Sequence, residues 1–191
     1  MEQSIIINIA EQSLQLLRDG RVLRHYAVST AKTGAGEQSG SGCTPRGAHR
    51  VRAKIGAGCA SGTVFVGRRP TGEVYADGDD GDHYDEQRDR VAPDRVAPDR
   101  VAPDRVLTRV LWLCGCERGK NRFGAVDTMR RYIYIHGCVD SAPMGVPLSH
   151  GCIRMRNADI IELFDLIDAG IAVSIVESAP SPCAPTPNIA Y

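Results

Sequence analysis

The chain has 191 residues, enough for one domain with a self-sufficient core and too few for a comfortable pair. Its 23 basic residues balance 23 acidic ones, so the formal net charge is zero, which speaks against nucleic acid or a charged membrane surface as partner. No apolar run reaches the length of a membrane helix, and Met1-Glu2-Gln3-Ser4 lacks the basic-then-apolar layout of a secretory signal, so a cytoplasmic location is expected, or a periplasmic one if a signal has been removed. Seven cysteines form an odd set without the spacing of a small disulfide scaffold, which implies reduced thiols.

The chain opens as antiparallel β. Residues 4–10 and 13–17 read as strands, and Asp19-Gly20 before residues 22–28 is a hairpin signal. Residues 32–42 are rich in Gly and Ser and form a loop, after which Thr44-Pro45-Arg46-Gly47 leads into a strand over 48–55. A short strand is expected over 62–67, then a turn at Arg68-Arg69-Pro70-Thr71-Gly72.

The pattern breaks at residue 77. An acidic, glycine-bearing stretch runs into Asp-Arg-Val-Ala-Pro repeated over 89–103, where a proline at every fifth position excludes a central strand and breaks any helix. With almost nothing bulky to bury, 77–105 is predicted to be a mobile insertion within a domain spanning 1–177. Asp77, Asp79, Asp80 and Asp82 do not reproduce a calcium loop and read as solvated acid. The proline-rich residues 178–191 read as a disordered tail.

Order returns with an apolar strand over 106–113 that carries Trp112. Cys114-Gly115-Cys116 follows without a second Cys or His pair at zinc spacing, so no metal is expected. Tyr132-Ile133-Tyr134-Ile135 is a β-branched and aromatic run that delivers His136. Near the end, Asn157 suits an N-cap for a helix over 158–169, Gly170 suits its stop, and Ile160, Leu163, Phe164 and Ile167 fall on one face. A last strand is expected over 171–176.

Chemistry concentrates in Ser149-His150-Gly151-Cys152-Ile153-Arg154-Met155, with His136-Gly137 sixteen positions ahead of the cysteine. A cysteine attacks as its thiolate and needs a proton acceptor, so Cys152 is the candidate nucleophile. His136, at the end of a strand, is the preferred base over His150, whose side chain need not touch the sulfur. Glycines at 137 and 151 allow close backbone approach, and the amides around Gly151 and Cys152 suit an oxyanion. The bland alternative is a buried cysteine and an ordinary histidine.

The string His-Gly, a Pro- and Gly-containing loop, then Ser-His-Gly-Cys-Ile-Arg-Met resembles the active-site signature of the L,D-transpeptidase catalytic domain, the YkuD family, and Thr44-Pro45-Arg46-Gly47 resembles it too. That resemblance implies a mainly β fold, a sandwich or barrel-like core with one helix near its C-terminal end. It implies action on peptidoglycan stem peptides or muropeptides without a cofactor: Cys152 attacks the diaminopimelate carbonyl, D-alanine leaves, and a thioester remains. The Gly137 carbonyl would orient His136, His150 would shape the pocket, and Ser149 would hold substrate or a histidine. Arg154 suits either a substrate carboxylate or a structural ion pair. The resemblance to a signal-less branch implies an L,D-carboxypeptidase of muropeptide recycling, with a periplasmic L,D-transpeptidase making 3-3 crosslinks as the alternative and a silent muropeptide-binding module behind both.

Overall fold

A computed structural model describes residues 2–76 and 105–177. The predicted insertion and C-terminal tail lie, apart from residue 105, outside the described residues.

The first three strands are β1 (Gln3–Asn8), β2 (Ser13–Arg18) and β3 (Arg21–Ala27), paired antiparallel in sequence order. The two-residue turn between β2 and β3 is Asp19-Gly20, both with positive φ (50° and 76°), as the right-handed twist of a tight hairpin requires. The chain continues through β4 (Gly47–Ile55), β5 (Thr63–Val66), β6 (Arg69–Val74), β7 (Val106–Gly115), β8 (Tyr134–Gly137), β9 (Ile153–Met155), the helix α1 (Asn157–Leu166) and β10 (Ala172–Val176). The ten strands among the described residues belong to one mixed sheet, whose main path runs β3-β2-β1-β10-β4-β7-β5-β6, with β8 on β7 and β9 on β8.

The bulge in β7 decides how that sheet branches. Leu107 and Val110 both pair with β8, so β4 (Ile55 against Val110) and β5 (Val64 against Leu107) share the opposite edge. Thr108, at φ 70°, lies between them and breaks the register, which lets β5 take over where β4 ends. The β5–β6 hairpin is thereby anchored to the strand that supports β8.

One face of this sheet packs under α1. Ile5, Ile7, Leu14, Leu16, Leu111, Leu113, Ile135, Ile153 and Met155 meet Ile160, Leu163, Phe164 and Ile167 in the main core. Burying each such side chain contributes about 1.5–3 kcal/mol, more than any single polar contact at the surface. Because side chains alternate along a strand, the residues between these face the other way. Val110, Trp112, Tyr134 and Cys152 gather there in a second cluster with Phe65.

Two expected elements differ. The helix begins at Asn157 and ends at Leu166, and Asn157 is not its cap: its Nδ2 donates to the Cys138 carbonyl (2.9 Å) and its Oδ1 accepts from Thr108 Oγ1 (2.5 Å). A buried partner on β7 wins over the local capping bond. The chain leaves the helix at Ile167, whose carbonyl accepts from Lys54 Nζ (2.5 Å), and Gly170 supplies a turn at φ 94° instead of a helix stop. The predicted turn at 68–72 is strand β6 except for Arg68: the hairpin turns at Gly67-Arg68, and Pro70 is tolerated because β6 is an exposed edge strand. Among the described residues no helix is long and apolar enough to cross a membrane.

Candidate active site

The parallel pairing of β8 and β9 builds the site. Ile135 pairs with Ile153 and His136 with Arg154. Ile135, Ile153 and Met155 point into the core, so Tyr134, His136, Cys152 and Arg154 share the opposite face. Cys152 stands across from Tyr134, and His136 is two residues further along the neighbouring strand, about 7–8 Å between backbones and within side-chain reach. A separation of sixteen positions in the chain thus closes on a diagonal pair.

The sulfur is held by the strand that carries the histidine. Tyr134 N donates to Cys152 Sγ at 3.4 Å, and Sγ approaches the Tyr132 carbonyl at 3.5 Å. Cys152 is partly exposed, whereas His136 is buried at 1% exposure. His136 Nδ1 lies 2.8 Å from the Gly137 carbonyl oxygen, an acceptor only, so Nδ1 carries the proton and Nε2 has the lone pair. This tautomer is the one a general base needs, and a backbone group sets it.

Gly137 has a second duty. A Cβ there would stand 2.5 Å from Asn157 Oδ1 and 2.8 Å from the Leu107 carbonyl. Gly137→Ala should therefore cost about 1–3 kcal/mol in urea denaturation and lower turnover at least tenfold, because the carbonyl that orients His136 must shift. Wild-type stability together with wild-type turnover would show that the close packing is not needed.

The loop before Cys152 is clasped at both ends by residues 29–32. Ser149 N donates to the Thr30 carbonyl and Lys32 N to the Ser149 carbonyl, while Ser29 and Arg154 exchange both backbone bonds. Inside the loop, Ser149 Oγ donates to the Cys152 carbonyl (2.5 Å) and accepts from the Gly151 amide (3.2 Å). The Gly151 amide was expected at an oxyanion; here it closes the loop. Gly151 itself adopts φ 124°, where an added Cβ would press on the Cys43 carbonyl at 3.2 Å, so a glycine is required. His150 is exposed on the same loop. Arg154, 9% exposed, stands beside His136 across the strand pair.

Three contributors were missed in the sequence. Thr44 Oγ1 accepts from Ala31 N and donates to the Gly151 carbonyl, both at 3.0 Å, so the Thr-Pro-x-Gly element braces the cysteine loop. Arg131 fixes the loop ahead of Thr44 by donating to the carbonyls of Gly36, Glu37 and Cys43 at 2.6–3.0 Å. Burial pushes its pKa down, while charge at Cys43, Glu37 and, least, Cys152 pushes it back up, so its cation lies within electrostatic reach of Cys152. Arg68 is the third: its guanidinium lies 4.4 Å over the Trp112 ring and 5.1 Å over Tyr132, and Nη1 donates to Tyr134 Oη at 3.2 Å. Burial pushes the Tyr134 phenol up, Arg68 pulls it down, and charge on Cys152 raises it. Neither arginine falls in a motif; only the aromatic run at 132–134 and the positive-φ turn hint at them. Cys138 is buried, with Sγ 3.4 Å from the Met155 carbonyl. No cluster of three or more His, Cys, Asp or Glu side chains suited to a metal occurs among the described residues.

A cysteine at the entry to β9 beside a backbone-oriented histidine on β8 defines a thiol-nucleophile site of the acyl-transfer type. The chain belongs to the L,D-transpeptidase catalytic domain family (YkuD), whose model matches residues 2–175. It is 40% identical over 55 residues to YkuD of Bacillus subtilis, covering 28% of this chain and 34% of that protein, and 38% identical over 55 residues to YkuD of Bacillus licheniformis, covering 28% and 33%. The chain thus matches about a third of the length of these curated relatives. Among solved structures, L,D-transpeptidase 3 of Mycobacterium tuberculosis in complex with a faropenem-derived adduct superposes with a TM-score of 0.51 at 15% identity, over 92% of this chain and 60% of that one. The Ldtfm-avibactam carbamoyl enzyme gives 0.51 at 16% identity, over 93% and 50%. These likenesses establish the shared fold.

Proposed function

We propose that this protein is a cysteine acyl-transfer enzyme that cleaves the bond between diaminopimelate and D-alanine in peptidoglycan stem peptides and passes the acyl group to water. The observation that carries the proposal is the bond between His136 Nδ1 and the Gly137 carbonyl, which leaves Nε2 as proton acceptor on the face that holds Cys152. Nε2 takes the thiol proton, the thiolate attacks the diaminopimelate carbonyl carbon, and the tetrahedral intermediate collapses to a thioester. The carbon–nitrogen bond breaks as His136 returns its proton to the departing D-alanine amine. Water then gives a proton to His136 and its hydroxide to the thioester, which frees the tripeptide and regenerates the thiol. Partial exposure of Cys152 admits that water without a second peptide being docked.

Such trimming suits muropeptides recovered in the cytoplasm. A second reading, transfer to the amine of another stem, is favoured by the names of the similar proteins, which are called L,D-transpeptidases; it belongs to the cell wall outside the membrane. Incubation of the protein with a disaccharide tetrapeptide, read by mass spectrometry, separates these. Tripeptide and free D-alanine are expected. Dimers joined through two diaminopimelates would replace water by an amine, and binding without turnover would reduce the protein to a muropeptide-binding module.

A further inference from the structure

The β5–β6 hairpin turns at Gly67-Arg68, both in the left-handed region (φ 54° and 68°). Such turns prefer Asn-Gly, and an arginine there is held in a conformation that its side chain disfavours. The turn places the guanidinium against the catalytic face. It lies over Trp112 and Tyr132 and is bonded to Tyr134 Oη, and Tyr132 and Tyr134 both contact Cys152 Sγ through their backbone.

Three aromatic side chains immobilise this cation without neutralising it. Arg24, Arg46 and Arg105 each pair with a glutamate, and Arg131 is taken up by carbonyls. Arg68 has no carboxylate within ion-pair distance among the described residues, and there only one of its five N–H donors is engaged. With two rings against it and one N–H on Tyr134, the guanidinium keeps donors for a two-pronged acceptor such as a carboxylate. Arg154 is the less accessible cation, at 9% exposure, while Arg68 is partly open.

The geometry points to Arg68 as the residue that recognises the C-terminal carboxylate of the D-amino acid leaving group and so sets specificity for the chain end. This rests on the stem-peptide reading above. A terminal carboxylate lies one residue past the attacked carbonyl, and a cation fixed beside the nucleophile favours a peptide that ends there over one that continues.

The test compares a stem tetrapeptide with its C-terminal carboxamide on wild-type, Arg68→Gln and Arg68→Lys proteins. The wild type should prefer the acid by about 10- to 100-fold in kcat/KM, with most of the difference in KM. Arg68→Gln should bring the acid-to-amide ratio close to one. Arg68→Lys, which keeps charge but not the planar fork, should lie between. An unchanged ratio in Arg68→Gln would overturn the assignment while turnover leaves the enzyme reading standing; should that variant fail to fold, a wild-type ratio in Arg68→Lys would do so. If no protein turns over either peptide, the enzyme reading falls, and quenching of Trp112 fluorescence then decides: acid-selective binding that Arg68→Gln abolishes upholds Arg68, and its absence rejects it.

Discussion

Cys152→Ala should lower turnover of a stem tetrapeptide by at least about 10⁴-fold, because nothing else on the β8–β9 face supplies the electron pair that forms the acyl bond. The change removes one sulfur, whose contacts include the long ones to Tyr134 N and the Tyr132 carbonyl. Fold and peptide affinity should therefore stay close to wild type, measured by circular dichroism and calorimetry. Intact-mass spectra provide a second check: the acyl adduct expected on the wild type during turnover should vanish in the variant. Residual turnover within a factor of ten would place the nucleophile elsewhere.

His136→Gln should cost about 10²- to 10⁴-fold in kcat, the usual worth of a positioned base. Glutamine retains a donor for the Gly137 carbonyl and comparable bulk, so the buried position should remain filled while proton transfer is lost. The deficit should shrink as pH rises, since alkali ionises a thiol without help. Full activity at neutral pH would transfer the base role to another group, of which exposed His150 is the nearest in sequence to Cys152.

Much of this was written locally in the chain. Asp19-Gly20 specifies its hairpin through backbone preference alone, and alternation over 132–136 delivers His136 because strand periodicity is a local property. The chemistry of the site was also legible, since a Cys and a His flanked by glycines restrict what the segment can do. Asn157 shows where such reading fails: its type favours a cap, yet a buried hydroxyl on β7 outcompetes the local bond, and no window around Asn157 contains Thr108. Arg68-Arg69-Pro70 fails similarly, because an edge position, which only the assembled sheet defines, makes Pro70 harmless.

By itself the sequence nominated the candidate nucleophile, the preferred base and the glycines that let backbone approach them, because these depend on residue type and short-range geometry. Only the tertiary structure decided that Cys152 and His136 share a face, since the parallel register of two strands sets it. It also decided that the Gly151 amide closes its own loop, that Arg131 binds the carbonyls ahead of Thr44 within electrostatic reach of Cys152, and that Arg68 joins Trp112, Tyr132 and Tyr134. The Arg68–Tyr134 bond spans 66 residues, and pairing and packing, not local preference, bring such partners together.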